Sequence, residues 1–240
     1  MMGKVILIAS GKGGTGKTVF TANVGAVLAQ RGHKVALIDL DMGLRNLDIC
    51  LGLENRVVYD VADVLSGLCR IKQALIRDKR FDSLYFMASP PSGKIADITP
   101  LHIKVLCKKL LRNFEYILID APAGAGENVL TSAAGADIAV IVTVPEYAAV
   151  RNADALARAL KESGVGSVKY VLNQVRGDLM KTGVMPGLND ISRKLKSDIA
   201  GIILHDDNIQ LSANAGYPIV CKRGTYIAKN FNKIADKIIG

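Results

Sequence analysis

The feature of this 240-residue sequence that most constrains its fold is a glycine-rich loop at residues 11–18 with the spacing G-x-x-x-x-G-K-[ST]. In this spacing the glycines allow successive backbone N–H groups to turn inward and surround phosphate oxygens. An apolar run of strand length, residues 5–9, ends directly before the loop. A helical pattern over residues 17–31 follows it, with Gly32 as a stop signal. The sequence therefore predicts a strand, a phosphate loop and a helix in direct succession.

Lysine and threonine side chains of this loop suggest separate roles. Lys17 can reach the β- and γ-phosphates of a nucleotide, and the Thr18 hydroxyl can ligate Mg²⁺. Lys12 is a second lysine, which the pattern does not require. The predicted nucleotide-binding residues of the loop are Gly11, Lys12, Gly13, Gly14, Thr15, Gly16, Lys17 and Thr18.

Apolar runs alternate with helical patterns along the whole sequence. The predicted strands are residues 5–9, 35–40, 83–87, 116–120, 138–144, 168–173 and 199–204. The predicted helices are residues 17–31, 100–112, 127–134, 150–163, 188–196 and 227–239. Residues 88–93 and 176–186 are predicted surface loops. This alternation predicts an α/β fold, a single-domain P-loop NTPase over residues 1–240 with a mostly parallel, twisted sheet flanked by helices on both faces.

Composition excludes several classes of protein. Half of the residues are hydrophobic, enough for a large core, yet no apolar run approaches the ~20 residues of a membrane span. The apolar stretch near the N-terminus is too short for a signal peptide. Cys50, Cys69, Cys107 and Cys221 form no C-x-x-C pair, so a zinc or iron–sulfur site built from close pairs is unsupported. Free thiols in a reducing cytoplasm are the simplest interpretation.

The charge balance is basic, with a formal net charge of +9 and a pI near 9.4. Such a balance favours polyanionic partners, which include nucleotides, nucleic acids and anionic membrane surfaces. Composition alone does not choose among them, and a solvated basic surface is an equal alternative.

Aspartates stand at the carboxyl ends of two predicted strands, where ligands bind to parallel sheets. An aspartate after an apolar strand is the Walker B arrangement, which holds a magnesium-bound water. Asp39 and Asp120, together with Thr18, are therefore the predicted metal site, although for Asp39 a strand-end cap is an equal alternative. Asp41 could orient or deprotonate an attacking water. The backbone N–H of Gly124 could touch the γ-phosphate.

Four further stretches carry a family resemblance. They are residues 41–48 (Asp-Met-Gly-Leu-Arg-Asn-Leu-Asp), 56–60 (Arg-Val-Val-Tyr-Asp), 73–80 (Gln-Ala-Leu-Ile-Arg-Asp-Lys-Arg) and 120–124 (Asp-Ala-Pro-Ala-Gly). Together with the glycine loop, they resemble the deviant Walker A ATPases of the MinD/ParA family. The first two stretches are specific to its MinD-type members. The resemblance is dense over residues 3–152 and thinner toward the C-terminus.

The resemblance implies roles for individual residues. Lys12 matches the signature lysine, which in the family crosses an ATP-dependent dimer interface to the phosphates of the partner subunit. Asp41 matches the switch I aspartate that positions the hydrolytic water, while Asp120 and Gly124 match switch II. The implied catalytic residues are thus Lys12, Lys17 and Asp41.

Two more nucleotide contacts are implied farther along the chain. Asn173 matches the adenine-reading asparagine of the family, and Glu146 falls near the nucleotide edge. His205 departs from the family, which usually has a proline near the adenine. Asn152 also departs, because MinD-type proteins often have an aspartate there that holds the signature lysine when no partner is bound. We therefore expect the resting state of Lys12 to differ from that of its relatives.

The implied function is that of a Mg²⁺-dependent ATPase, which converts ATP to ADP and phosphate and acts as a dimerisation switch in the placement of the cell-division site at the membrane. The implied partners are a second copy of the chain bound through ATP, an anionic membrane surface, and division-inhibitor and activator proteins. The expected location is cytoplasmic, or peripheral at the inner face of the cell membrane.

Two alternatives stay open, a ParA-type DNA-partitioning ATPase and a MinD relative that regulates flagellar number. The shared motifs and the basic charge allow the first. The Gly-Leu-Arg-Asn-Leu-Asp stretch argues against it, so nucleic acid is a disfavoured partner. A carrier of iron–sulfur clusters would need clustered cysteines that the sequence lacks.

The last predicted helix admits two interpretations. One face carries an apolar stripe and another carries three lysines: Ile227, Phe231, Ile234 and Ile238, then Lys229, Lys233 and Lys237. MinD-type proteins usually append a short basic amphipathic helix that binds membrane, and this sequence ends at Gly240, before such a tail. The stripe fits an interfacial helix or a terminal helix packed on the sheet, of which the second is favoured.

Overall fold

The seven predicted apolar runs all form strands of one sheet. The computed structural model describes residues 3–42, 45–91 and 98–240. In these residues the strands are β1 (Lys4–Ser10), β2 (Val35–Asp39), β3 (Ile76–Arg77), β4 (Leu84–Met87), β5 (Tyr116–Ala123), β6 (Ile138–Thr143), β7 (Ser167–Val175) and β8 (Ile199–Leu204). The short β3 was not predicted, because two residues are too few to give an apolar run.

The sheet has the order β3-β4-β2-β5-β1-β6-β7-β8. Every pairing is parallel except that of β3, which runs antiparallel to β4 at the sheet edge. The mostly parallel α/β fold is therefore confirmed. The first strand lies between β5 and β6 in the interior of the sheet, so the loop that follows it emerges at the centre of the carboxyl edge.

Strand register brings the predicted aspartates together. On β2 and β5, Asp39 and Asp120 are direct partners, and on β1, Ile8 is the partner of Asp120. Because these strands are parallel, their carboxyl ends meet at one edge, next to the glycine loop.

Eleven α-helices connect the strands within the described residues. They are α1 (Lys17–Gln30), α2 (Leu47–Leu51), α3 (Val61–Leu65), α4 (Ile71–Ala74), α5 (Pro100–Leu110), α6 (Glu127–Ser132), α7 (Tyr147–Glu162), α8 (Gly177–Lys181), α9 (Leu188–Lys194), α10 (Asp207–Asn214) and α11 (Tyr226–Ile239). The six predicted helices correspond to α1, α5, α6, α7, α9 and α11, although α7 begins three residues earlier than predicted.

The segment 176–186 is not wholly a loop as predicted, since it contains α8. This helix has five residues, each at least partly exposed. It therefore shows no buried apolar stripe from which a helix could be recognised. Of the other predicted loop, residues 92 and 93 lie outside the described residues.

The first helix lies at the centre of the core and is buried on almost all sides. It packs on β1, β2 and β5 on one side and against α2 and α11 on the other. Gly32 follows it with a φ of 87°. This left-handed conformation ends the helix, as the sequence predicted.

The C-terminal helix α11 packs on the sheet. Its apolar stripe is buried against β8 and α1, with the rings of Phe231 and Phe20 5.9 Å apart. Two lysine side chains form hydrogen bonds with its last turn. Lys4 donates to the carbonyl of Ile239 at 2.9 Å, and Lys169 donates to the carbonyl of Lys237. Packing on the sheet is thus the interpretation that the structure bears out. Among the described residues no helix is both long and apolar enough to span a membrane.

We predict that Phe231→Ala lowers the free energy of unfolding by about 3–5 kcal/mol, because it leaves a cavity between α11 and α1. Urea denaturation monitored by circular dichroism measures this change. The control is Lys233→Ala on the exposed face of α11, which should shift stability by less than about 0.5 kcal/mol. A loss below about 1 kcal/mol for Phe231→Ala would contradict the packing of this helix.

Candidate nucleotide-binding site

The glycine loop runs from the end of β1 into the first turn of α1, as predicted. Gly14 and Gly16 adopt left-handed conformations, with φ values of 78° and 84°, which L-residues with a side chain rarely adopt. The loop ends at a helix N-terminus, where unpaired N–H groups and the helix dipole favour an anion. Local geometry therefore matches a phosphate-binding loop.

The loop is also approached closely from β7. A Cβ atom on Gly16 would lie 2.4 Å from Nδ2 of Asn173, so a side chain here would displace the Asn173 amide in addition to straining the left-handed backbone. The same Nδ2 donates to the carbonyl of Thr15 at 2.8 Å. Next to it, Nε2 of Gln174 donates to the carbonyl of Gly14 at 3.1 Å. Gln174 was not among the predicted site residues, since an exposed glutamine directly after the predicted strand 168–173 carries no chemical signal of its own.

Lys17 points into the interior of the site. Its Nζ lies 3.1 Å from Oδ1 of Asp120 and 3.5 Å from Oδ2 of Asp41. The side chain of Lys17 is only 6% exposed, so these two carboxylates are its main charge partners. The predicted catalytic residues Lys17 and Asp41 are thus adjacent.

Asp120 is fully buried and has one oxygen free. Its Oδ1 accepts from Lys17 and from the hydroxyl of Thr21, whereas its Oδ2 has no hydrogen-bond partner among the described residues. Burial raises the pKa of this carboxyl group, while the charge of Lys17 opposes the rise. Thr21 was not predicted, because it lies one helical turn beyond the loop pattern.

Asp39 is buried beside Asp120 and shapes the segment that follows β2. Its Oδ1 accepts the N–H of Asp41 at 2.9 Å, and its Oδ2 accepts the N–H of Leu47 at 3.3 Å. Burial and the charge of Asp120 raise the pKa of Asp39 to about 8. The observed contacts are those of the strand-end cap, while a direct role of Asp39 at a metal stays a prediction.

The donor set fits a magnesium ion held together with a nucleotide. Asp120 has a buried carboxylate oxygen without a partner, and the hydroxyl of Thr18 lies close enough to this carboxyl group to lower its pKa. Among the described residues no group of three or more metal-binding side chains forms a cage. Mg²⁺ does not require one, because it is usually held by one or two carboxylates, waters and substrate phosphates.

A cavity of about 470 Å³ lies over the loop. Besides the loop and Asp41, its lining includes residues of α2, α10 and β7. They are Ile49 and Cys50 on α2, Gln210, Ala213 and Asn214 on α10, and Gln174 on β7. A second hollow of about 220 Å³ adjoins it and is lined by Asn173, His205, Asp206 and Asp207, among others. Such volumes suit a nucleotide, with its phosphates at the loop and its base toward the second hollow.

The second loop lysine, Lys12, is not among the residues that line the cavity. Nζ of Lys12 lies 2.6 Å from Oε2 of Glu146, directly before α7, and the two side chains are 47% and 49% exposed. Glu146 was predicted at the nucleotide edge, and in the structure it is the charge partner of Lys12. Asn152 carries no charge and does not pair with Lys12 in this structure, while the comparison with the resting state of its relatives stays a prediction.

Two further predictions concern Gly124 and the motif at residues 41–48. The N–H of Gly124 donates to the carbonyl of Ser10 at 2.8 Å, so a contact with a γ-phosphate would have to replace this bond. Gly43 and Leu44, in the motif at residues 41–48, lie outside the described residues. Of the same motif, Arg45 contacts Asp48 at 2.7 Å at the start of α2.

Comparison with known proteins agrees with this geometry. Residues 6–219 match the model of the CobQ/CobB/MinD/ParA nucleotide binding domain. The chain is 41% identical over 242 residues to the septum site-determining protein MinD of Bacillus subtilis (strain 168), covering 100% of this chain and 90% of that protein.

Two solved structures are similar over almost the whole chain. One is the MinC:MinD cell division protein complex of Aquifex aeolicus, at a TM-score of 0.91 and 38% identity, covering 99% of this chain and 96% of that one. The other is the septum site-determining protein MinD of Pyrococcus horikoshii OT3 complexed with Mg-ADP, at a TM-score of 0.89 and 28% identity, with coverages of 99% and 96%. The chain therefore belongs to the MinD/ParA family of nucleotide-binding proteins, as a MinD-type member.

Proposed function

We propose that this chain is an ATPase switch in which ATP and Mg²⁺ join two copies and hydrolysis releases them. The observation that carries the proposal is that one phosphate loop presents two lysines in different settings. Lys17 is buried against carboxylates beside the cavity, whereas Lys12 lies half-exposed at the surface. One cation thus serves the nucleotide bound by its own chain, and the other is available to a neighbouring chain.

Binding of ATP would use the loop N–H groups and Lys17 for the phosphates, with Asn173 toward the adenine. Thr18 and Asp120 would hold the Mg²⁺, Asp120 through its unpaired Oδ2 and a bound water. The metal would supply positive charge against the phosphates. The Pyrococcus relative was solved as a Mg-ADP complex, which supports Mg²⁺ and an adenine nucleotide as the groups bound at this site.

Hydrolysis would depend on an exchange of charge partners at Lys17. In the structure its ammonium is shared by Asp120 and Asp41. Phosphate oxygens compete with these carboxylates for Lys17 and would release Asp41. The freed Asp41 carboxylate, at the edge of the cavity, can then orient a water for attack on the γ-phosphate and accept its proton.

Lys12 would act in the neighbouring subunit. An ion pair as exposed as Lys12–Glu146 stabilises by only about 0–1 kcal/mol. The triphosphate of a partner subunit, with several negative charges, can therefore draw Lys12 away from Glu146 at little cost. A cation supplied in this way acts like an arginine finger on the charge that develops in the transition state.

The biological setting is proposed from the relatives. The septum site-determining name of the Bacillus relative and the MinC:MinD cell division complex support a role in placement of the division site with a second protein as partner. We propose a division inhibitor as that partner and an activator protein as another. The net charge of +9 and the exposed lysines of α11 support peripheral association with an anionic membrane. The ParA-type and flagellar alternatives have no structural observation in their favour.

We predict that Asp41→Ala reduces ATP hydrolysis by about 100-fold or more, because the water loses its general base. ATP-dependent dimers should persist, since Asp41 does not hold the nucleotide. Phosphate release and light scattering measure the two effects. The control is Asp82→Ala, at a 93% exposed carboxylate, which should leave both unchanged. Unchanged turnover in the Asp41 variant would remove this residue from the reaction.

We further predict that Lys12→Ala leaves ADP binding within about threefold of wild type but reduces hydrolysis by about 1,000-fold, as expected for a cation supplied in trans. Calorimetry with Mg-ADP and a phosphate-release assay check the two parts. Lys108→Ala, at an exposed lysine of α5, is the matched control. Abolished ADP binding, or full activity, would contradict the role proposed for Lys12.

A further inference from the structure

The C-terminal end of β7, beside the nucleotide cavity, is irregular. The pairing of β7 with β8 shifts register between Leu172 and Val175. Within this bulge Gln174 has a φ of 54°, in the left-handed region. A residue with a side chain adopts this conformation only at a cost in free energy, and such strain concentrates at functional sites. We therefore expect the bulge to allow a contact that regular pairing of β7 would not provide.

The bulge directs two neighbouring amides to two neighbouring carbonyls of the phosphate loop. Asn173 donates to the carbonyl of Thr15 at 2.8 Å, and Gln174 donates to that of Gly14 at 3.1 Å. In a regular strand, consecutive side chains point to opposite faces of the sheet. The left-handed turn at Gln174 is what allows both side chains to reach the same loop.

These carbonyls matter for anion binding because of how a phosphate loop works. Its N–H groups can point inward at the phosphate only if the intervening carbonyls point outward. Gly14, with a φ of 78° and nothing within 4 Å of its Cβ position, is held by little side-chain packing. The amide of Gln174 fixes the outward direction of the Gly14 carbonyl and so limits the conformations open to the empty loop.

We propose that Gln174 is a positioning residue, which holds the phosphate loop in its anion-binding conformation at the expense of a strained bulge in β7. Gln174 borders both the phosphate cavity and the hollow assigned to the base. It therefore joins the nucleoside end of the site to the loop. The proposal deepens the proposed function and rests on it, since it presupposes that the loop binds nucleotide.

Two variants separate this role from a purely structural one. Gln174→Ala removes the amide but keeps a side chain in the left-handed conformation. Gln174→Gly removes the amide and also relieves the strain. The two variants thus lose the same hydrogen bond but differ in the strain that remains.

The experiment measures the thermal midpoint without nucleotide, Mg-ADP affinity, and KM and kcat for ATP in the full chain. We expect the Gly variant to melt a few degrees above the Ala variant. Both should bind Mg-ADP about fivefold more weakly than wild type, the loss expected for one hydrogen bond. KM should rise with little change in kcat, because Gln174 prepares the loop and does not act on the transition state.

A Gly variant that melts above the Ala variant yet binds Mg-ADP more weakly than wild type is the result expected of a positioning role. Wild-type affinity for Mg-ADP in the Gly variant would overturn the proposal and reduce the bulge to a feature of chain geometry. A loss of affinity confined to the less stable Ala variant would overturn it as well. Failure of the wild-type chain itself to bind Mg-ADP would instead refute the proposed function.

Discussion

The structure depends on a buried charge pair at the centre of its sheet, the ammonium of Lys17 and the carboxylate of Asp120, 3.1 Å apart. Burying two charges costs several kcal/mol for each ion unless geometry and further hydrogen bonds offset the loss. Thr21 and Asp41 supply these additional contacts. The pair can form only because β1 and β5 are neighbours, since the loop after β1 leads to Lys17 and β5 carries Asp120. The Lys17–Asp120 pair is therefore one constraint that both the fold and the site must satisfy.

The same constraint accounts for the different behaviour of the two loop lysines. A cation fixed in the interior can serve only the nucleotide of its own chain, and its charge is already balanced by carboxylates. Lys12 has a solvated partner, Glu146, that it can leave at little cost. The loop thus combines a rigid inner half with an outer half that remains available to a second subunit, which is the arrangement expected of half a shared active site.

Long apolar runs made the fold predictable, since strands buried on both faces leave an unbroken hydrophobic signal. The short β3 and the five-residue α8 bury too little to leave one. In the site, Asp39, Asp41 and Asp120 were predicted because strand ends are recognisable in sequence. The pairing of Lys12 with Glu146 joins residues 134 positions apart, and the contact of Gln174 depends on a bulge, so neither could be read from local patterns.

The central claim, that each site is completed by Lys12 of the other subunit, is tested most directly by mixing two inactive variants. Subunits with Lys12→Ala keep Asp41, and subunits with Asp41→Ala keep Lys12. If Lys12 acts across the dimer, every mixed dimer contains one complete site, and an equal mixture should recover about a quarter of the wild-type ATPase rate. Recovery of no activity, in a mixture shown to contain mixed dimers, would contradict the account and return Lys12 to its own chain.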